Sequence, residues 1–507
     1  MSMLKKAMIL LLAAAMAATL FSGCAKKSNT SGIEFAKPDY DKDVSTLRTP
    51  GSQEAAYDYK LFFLPETDGV SQPYVGDPMP YYEDGVYYMY YLKEAGDSYN
   101  HSVYLATTTD FLSYTEYQEP ILESSRSGGQ DAWIGTGSVV KVDEKYYFFY
   151  TGHASSDSYE YKEKIMVAEG DSPTSFTKVD GWELTPPAEL GQKNDFRDPQ
   201  AYYNEQKGVI ELTVTAAQGG VARVIKFTLA KDLSGFEYDG IIITDPTGDF
   251  WNLECSDTFK LGDRYFITYS GQDDTLWYAS SDSQYGPYTE PVRIDGELFY
   301  AAKHVDNGTD CYMVGWARRS ESPSSLSEVS AWAGNLVLSQ VENVNGELVF
   351  KPVENIENAF TDRRELHFDD TKATVEAGTL YSYTEAFTAY ERFMIKGKFS
   401  YTGNGAFGLA FDYNGRADKY KLITLANDTL AVSFNEGTTP ITQTIADTEP
   451  NTTYSFTYIQ EGSVGVFYLD GIAALTVRLY GISGKSIYLF AENNSVEFTE
   501  LAQYTMK

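Results

Sequence analysis

The sequence of 507 residues predicts an all-β protein, a five-bladed β-propeller followed by a C-terminal β-sandwich. Tyrosine (41 residues) and phenylalanine (28 residues) are abundant, and long amphipathic helical patterns are nearly absent after residue 60. In the first part, turns followed by aromatic or β-branched strands recur about every 45 to 65 residues, a spacing typical of four-stranded propeller blades. These turns lie near Gly85, Lys145, Gly208, Gly262 and Gly308. Five repeats indicate five blades around one channel, and a sandwich of irregular strands is the alternative.

Residues 1–24 have the pattern of a cleaved bacterial lipoprotein signal peptide. Lys5 and Lys6 precede an apolar stretch from residue 7 to residue 20, which is too short to be a membrane span. Cys24 follows Ser-Gly, as does the cysteine that becomes lipidated in bacterial lipoproteins. A plain secretory signal is the alternative. Residues 25–57 are predicted to be a polar tether, so we expect a protein held by lipid at the outer face of a bacterial membrane.

The predicted propeller spans residues 58–350, and each of its repeats has a conspicuous segment shortly before the turn. These segments end at Asp77, Thr136-Gly137-Ser138, Asp198, Glu254 and Phe299-Tyr300. Equivalent positions on successive blades face each other across the channel of a propeller, so we expect the three carboxylates to converge. Convergent carboxylates are the groups that cleave glycosidic bonds. A single acid of this kind would more simply stabilise a turn, but three in phase favour a catalytic site.

Residues 351–507 are predicted to form the β-sandwich. From about residue 365, short strands alternate apolar and polar residues, for example 393–399, 429–434 and 464–469. Asn404-Gly405 is one of the turn signals between them. Because no exposed aromatic cluster can be assigned from the sequence, a supporting role for this domain is favoured over binding of polysaccharide.

The formal net charge of −32 argues against nucleic acid and anionic polysaccharides as partners. It fits a neutral oligo- or polysaccharide, although acidity also keeps many secreted proteins soluble. With Cys24 assigned to lipid, the remaining cysteines are Cys255 and Cys311, which do not imply a disulfide framework.

Neither a metal site nor a cofactor is expected. The four histidines lack the spacing of metal ligands, and no glycine-rich phosphate loop precedes a helix. They are His101, His153, His304 and His367.

Five motifs together resemble glycoside hydrolase family 32, the fructan hydrolases and invertases. They are Gly76-Asp77-Pro78, Thr136-Gly137-Ser138, Arg197-Asp198-Pro199, Glu254-Cys255 and Trp332-Ala333-Gly334-Asn335-Leu336. They follow the order of the family pattern, and the resemblance covers roughly residues 60 to 507. It implies the same propeller and sandwich, and hydrolysis of β-fructosidic bonds.

Two departures from the family pattern leave the sugar open. Residues 74–80 read Tyr-Val-Gly-Asp-Pro-Met-Pro where the family has Trp-Met-Asn-Asp-Pro-Asn-Gly, so two asparagines that contact sugar hydroxyls in the family are missing. This short motif also looks like family 43, the arabinan and xylan hydrolases. Ser339-Gln340 stands where the family has Pro-Arg.

The resemblance implies a retaining mechanism with three carboxylates. Asp77 would be the nucleophile and Glu254 the acid and base, with their carboxyl groups about 5–5.5 Å apart. Glu254 must then hold a proton near neutral pH, which burial and neighbouring negative charges would favour. Asp198 would hold sugar hydroxyls, kept ionised by Arg197. Other residues expected to bind substrate on the same wall are Trp133, Ser138, Cys255, Tyr300 and Trp316.

The sequence therefore predicts a retaining glycoside hydrolase of fructans or sucrose-type fructosides. One alternative is a hydrolase of arabinan or xylan with family 43 character, against which Glu254-Cys255 and the Trp332 motif speak. The other is a surface lipoprotein that binds glycan without cleaving it. A pure binding protein has no need of a buried proton donor, so the three acids favour catalysis.

Overall fold

The computed structural model describes most of the chain from residue 60 onwards. The described ranges are 60–66, 72–94, 101–126, 128–156, 158–319, 331–367, 372–376, 381–413, 420–434 and 440–506. The predicted signal peptide (1–24), its Cys24 and the predicted tether (25–57) lie outside the described residues. Within the described ranges, no helix combines the length and the apolar character needed to cross a membrane.

The first part of the chain forms five antiparallel four-stranded units, in chain order. The first two are β1 (Tyr74–Glu83), β2 (Val86–Glu94), β3 (Val103–Thr108) and β4 (Thr115–Glu116), then β5 (Trp133–Val142), β6 (Lys145–His153), β7 (Glu163–Ser172) and β8 (Ser175–Leu184). The third is β9 (Arg197–Asn204), β10 (Val209–Gln218), β11 (Val221–Ala230) and β12 (Phe236–Thr244). The last two are β13 (Glu254–Leu261), β14 (Arg264–Ser270), β15 (Leu276–Ser281) and β16 (Val292–Ile294), then β17 (Phe299–Asp306), β18 (Cys311–Arg319), β19 (Ala331–Val344) and β20 (Glu347–Lys351).

These units are the predicted blades. Strand β1 also pairs with β19 through Val75 and Gly334, which joins the first blade to the fifth. Tight turns connect neighbouring strands, as at Asp84 and Gly85, which both have positive φ angles (49° and 84°). Such turns match the right-handed twist of the strands that they join.

In every blade, the first strand has one extra residue opposite its partner strand. This irregularity lies at a corresponding level in all five blades. The pairing register shifts between Gly76 and Met79, Gly135 and Gly137, Arg197 and Gln200, Glu254 and Asp257, and Tyr300 and Lys303. A β-bulge of this kind bends the strand and redirects a side chain. These five bulges contain or adjoin Asp77, Thr136, Asp198, Glu254 and Ala301, so the irregular level of the propeller is the level of the predicted site.

The second part of the chain forms two packed antiparallel sheets after a short helix, α1 (Glu354–Ala359). Its strands are β21 (Asp362–Arg364), β22 (Ala373–Glu376), β23 (Tyr381–Thr388), β24 (Arg392–Tyr401), β25 (Phe407–Phe411), β26 (Lys421–Ala426), β27 (Thr429–Phe434), β28 (Thr442–Ile445), β29 (Tyr454–Glu461), β30 (Val464–Leu469), β31 (Ala473–Arg478), β32 (Ser486–Glu492) and β33 (Ser495–Thr505). One sheet has the order β21-β33-β24-β29-β30-β31, with β22 also on β33, and the other β23-β32-β25-β26-β27-β28. Alternate side chains of both sheets, such as Phe456 and Leu489, fill the core between them. The predicted fold class is confirmed.

Polar contacts join the sandwich to the fourth and fifth blades. Arg478 of β31 donates hydrogen bonds to the carbonyl oxygens of Ala317 (2.9 Å) and Arg318 (2.8 Å). Asp295, after β16, accepts hydrogen bonds from the N–H and the hydroxyl of Thr476 (2.7 and 2.6 Å). These hydrogen bonds therefore fix the sandwich against the fourth and fifth blades.

Candidate active site

The three predicted carboxylates lie together on the first strands of the first, third and fourth blades. Burial raises the pKa of Asp77, and the negative charge of nearby Glu254 raises it further. Burial likewise raises the pKa of Asp198, to about 6, although Arg197 and the N–H of Cys255 lower it. The charges of Glu254 and Asp77 also act on Asp198, so the three acids form one electrostatic group.

Asp77 is held from two sides by neutral donors. The hydroxyl of Thr136, from the second blade, donates to its Oδ2 at 2.9 Å. The indole N–H of Trp316, from the fifth blade, donates to its Oδ1 at 3.3 Å. Asp77 has a φ of +38°, a conformation that costs backbone energy and is retained because the surroundings fix it.

Asp198 is buried and is held by a backbone N–H and by a side-chain hydroxyl group of its neighbours. The N–H of Cys255 donates to its Oδ2 at 2.7 Å, and its own N–H donates to the Thr151 hydroxyl at 2.8 Å. The Cys255 thiol lies 3.4 Å from the hydroxyl of Thr136, the donor to Asp77. Burial raises the pKa of the Cys255 thiol well above its usual range, and Asp198 and Asp77 raise it further, so the thiol stays protonated.

Glu254 accepts hydrogen bonds on both of its oxygens. Arg197 Nη2 donates to Oε1 at 2.9 Å, and the phenol of Tyr300 donates to Oε2. The ring of Tyr300 lies edge-on to Trp316, with 5.7 Å between the ring centroids. The fifth blade thus contributes two adjoining aromatic side chains, of which Tyr300 contacts Glu254 and Trp316 contacts Asp77.

Arg197 is itself fixed by a buried carboxylate of the second blade. Its Nη1 lies 3.0 Å from Oε1 of Glu163, and its guanidinium group lies 5.1 Å from the ring of Trp251. Burial alone raises the pKa of Glu163, but Arg197, His153 and the N–H of Phe196 outweigh it, and the pKa is lowered. Arg197 therefore connects an ionised, buried anchor to Glu254.

The two remaining predicted residues lie on β5. Trp133 is half-buried at its start and pairs with His153, whose Nδ1 is 3.4 Å from Glu163. Ser138 is buried, and its hydroxyl accepts a hydrogen bond from the N–H of Ala201 at 2.9 Å, which ties the second blade to the third. The structure thus brings Arg197, Cys255, Tyr300 and Trp316 into contact with the acids. Trp133 and Ser138 contact other residues, His153 and Ala201, and among the described residues neither forms a hydrogen bond with the three acids.

The part of the chain that the structure describes contains no cluster of three or more metal-ligating side chains. Cys255 and Cys311 are both buried free thiols.

The model of the glycosyl hydrolases family 32 N-terminal domain matches residues 71–352, which is more than half of the chain. The chain belongs to glycosyl hydrolase family 32. The matched region contains the five blades and all three carboxylates.

Among relatives, sucrose-6-phosphate hydrolase of Escherichia coli is 25% identical over 256 residues, 46% of this chain and 52% of the relative. The chain thus spans about half the length of that curated relative. Two solved structures share the fold. Fructan 1-exohydrolase IIa from Cichorium intybus has a TM-score of 0.71 at 17% identity and covers 90% of this chain and 98% of its own. Sucrose-6-phosphate hydrolase from Lactobacillus gasseri has a TM-score of 0.69 at 17% identity and covers 94% and 98%.

The structure explains one departure from the family 32 pattern. A Cβ atom on Gly76 would lie 2.1 Å from the Trp332 indole, so this ring fills the space beside residue 76. Trp332 also stacks on His101, with 4.4 Å between the ring centroids and 14° between the planes. An indole therefore occupies the space that a side chain at residue 76 would need next to Asp77.

Several residues of this family 32 site are not predicted from the sequence. Thr136 lies in the Thr-Gly-Ser motif, of which only Ser138 is predicted to bind substrate. Glu163 and His101 had no sequence signal, because their partners come from other blades or loops. Thr136 could have been predicted as a site residue, because it lies at the same phase of the repeat as the three acids.

Proposed function

We propose that this protein is a retaining hydrolase of β-fructosidic bonds in fructans or sucrose-type fructosides. The proposal rests on one observation above all. Three carboxylates of one propeller level interact electrostatically, and each is held by donors from neighbouring blades. Fructan 1-exohydrolase IIa and two sucrose-6-phosphate hydrolases are named for substrates of this chemical class.

In the proposed reaction, Asp77 attacks the anomeric carbon and forms a covalent glycosyl-enzyme. The two neutral donors, Thr136 and Trp316, fix its position without adding a positive charge. A guanidinium group in their place would weaken the nucleophile by neutralising it. Neutral donors suit a carboxylate that must attack.

Glu254 protonates the leaving oxygen and then removes a proton from water. Because its two oxygens already accept hydrogen bonds from Arg197 and Tyr300, the leaving oxygen must approach beside one of these donors. Asp198 faces the sugar from the third blade and stabilises positive charge on the ring in the transition state. The buried N–H of Cys255 keeps the Asp198 carboxylate oriented.

The roles of the three acids can be separated by kinetics on a fructoside with a good leaving group. Asp77→Ala should abolish both turnover and the trapped adduct seen by mass spectrometry. Glu254→Ala should lower kcat by about 10²–10⁴-fold on natural substrates, less on the activated one, and azide should partly restore its second step. Asp84→Ala, in the exposed turn of the same hairpin as Asp77, is the matched control and should keep wild-type activity.

Release assays on levan, inulin, sucrose and arabinan identify the substrate. An active Asp77→Ala variant contradicts the assignment of the nucleophile. A wild-type protein that cleaves arabinosides and no fructoside contradicts the proposed function as a whole.

For its location, we infer a lipid anchor on Cys24 at the outer face of a bacterial membrane. In a bacterial host, the wild-type protein should incorporate labelled fatty acid and sediment with membranes. Cys24→Ala should do neither. Equal labelling of both proteins would exclude Cys24 as the lipidated residue.

A further inference from the structure

One level below the carboxylates, the first strands of three blades place charged or polar side chains in the channel. Gln200, Asp257 and Lys303 come two residues after Asp198, Cys255 and Ala301 respectively. Asp257 is fully buried, Lys303 is 2% exposed and Gln200 is half-buried. The proposed mechanism uses none of them.

The Lys303 ammonium group contacts two neutral acceptors. Its Nζ donates to the carbonyl oxygen of Gly137 at 3.0 Å and to Oε1 of Gln200 at 3.1 Å. Among the residues that the structure describes, no carboxylate lies within the 4.0 Å of an ion pair with Lys303. Burial of a charge without a direct partner is costly, so more distant negative charges must compensate for it.

The contacts of Lys303 lead directly to the carboxylate level. Gly137 follows Thr136, whose hydroxyl donates to Asp77. Gln200 follows Asp198 by two residues on β9. Lys303 comes from the fifth blade, so its two hydrogen bonds connect three blades beneath the acids.

The positive charge of Lys303 also reaches this level. It lowers the pKa of the Cys255 thiol, although the larger effect of burial raises that pKa. The same thiol contacts Thr136, and the N–H of Cys255 donates to Asp198. The other basic side chains near the carboxylates are Arg197, which is paired with Glu163 and Glu254, and His101, which lies near Asp77. Around Lys303 itself, the remaining charged neighbours are Asp257 and His304, whose Nδ1 lies 2.6 Å from Asp257 Oδ2.

We propose that Lys303 is a positioning residue for the reaction proposed above. Through Gly137 and Gln200 it holds the strands that present Thr136 and Asp198, and it places a positive charge beneath the acids. This inference rests on the proposed function only for its kinetic test.

The test compares Lys303→Met, which keeps the apolar part of the side chain without the charge, with Lys303→Arg, which keeps the charge. In the pH profile of kcat/KM on a fructoside, Lys303→Met should shift the acidic limb upward by about one pH unit. Lys303→Arg should keep the acidic limb of the wild type. Lys226→Met is the matched control, because Lys226 is buried in the third blade and bonds Thr228 and Asp239 away from the channel. It should leave the profile unchanged.

Thermal unfolding provides a readout that needs no substrate. The loss in Tm caused by Lys303→Met should be larger at about pH 8 than at about pH 4, because the charge of Lys303 helps only ionised carboxylates.

The proposal is overturned if the acidic limb of Lys303→Met matches that of the wild type and its Tm loss is the same at both pH values. A Lys303→Arg profile shifted as far as that of Lys303→Met also overturns it. If Lys303→Met does not fold, the Lys303→Arg profile alone decides, with the wild-type limb as the expected result. If the wild type cleaves no fructoside, the proposed function is wrong. The Tm loss of Lys303→Met at the two pH values then still tests the role of Lys303.

Discussion

At the scale of single residues, the site consists of charges buried at a cost in stability. Asp198 is 4% exposed and has a φ of +58°, and its pKa is raised to about 6 from an ordinary value of 3.8. A carboxyl group whose pKa is raised in the folded state lowers stability as the pH rises from the unfolded value through the folded value. Asp198 thus destabilises the folded protein at neutral pH, as expected of a group retained for function.

Asp198→Asn should therefore increase the free energy of unfolding at about pH 7.5 by roughly 2–3 kcal/mol. Asparagine cannot ionise, and its side-chain oxygen can still accept the hydrogen bond from Cys255. Below about pH 3, where Asp198 is protonated in both states, the gain should disappear. Calorimetric Tm values between these pH values measure it, and kcat should fall at the same time because the charge is lost.

Asp84→Asn, in an exposed turn, is the control and should show no such pH-dependent gain. A gain for Asp198→Asn that is equal at both pH extremes would mean that its cause is not the charge.

At the scale of elements, the five first strands share a bulge, and that irregularity aims the functional groups. Positive φ angles recur within or beside the bulges, at Asp77, Asp198, Cys255 and Ala301. At Cys255 the conformation turns the backbone N–H towards Asp198, so the backbone of this residue supplies the contact. The thiol itself contributes a contact of 3.4 Å with Thr136.

This distinction predicts different effects for two small substitutions. Cys255→Ala should keep kcat within about tenfold of the wild type, because the N–H and its φ of +51° can be retained. Cys255→Val should lower kcat much further, since a β-branched residue is strongly disfavoured at positive φ. Steady-state kinetics with Tm as a check on folding compare them. Equal losses in both variants would instead assign the contribution to the thiol.

At the scale of the whole molecule, the sandwich stabilises the propeller that carries the site. Arg478 donates to two carbonyl oxygens of the fifth blade, to Asn335 Oδ1 at 3.0 Å and to Ser463 Oγ at 3.0 Å. Asn335 belongs to β19, the strand that begins with Ala331 and carries Trp332 beside Asp77. The second domain therefore supports a wall of the site from behind.

Arg478→Met should lower the free energy of unfolding by at least about 2 kcal/mol, because it leaves buried acceptors of the fifth blade unpaired. Arg363→Met, on an exposed position of β21, is the matched control and should change Tm little. Thermal unfolding of both variants provides the measurement. An equal Tm for Arg478→Met and the wild type would show that this contact contributes nothing to the union of the two domains.

The sequence by itself determined the fold class, and it indicated the three acids that the structure brings together. Turn residues and alternating strands are local properties, so their repetition could be counted without a structure. Asp77, Asp198 and Glu254 could be found because each lies at the same phase of its repeat, and four of their six predicted companions contact them.

Only the tertiary structure decided which groups hold those acids. Thr136 bonds Asp77 directly, whereas Glu163 bonds Arg197 and Lys303 bonds Gly137. Each partner lies on another blade, 59, 34 and 166 residues away in the chain respectively. The place of Trp332 against Gly76 likewise depends on the closure of the fifth blade onto the first. Local patterns determine where strands and turns form, whereas contacts between blades depend on how the closed propeller brings distant side chains within a few ångströms.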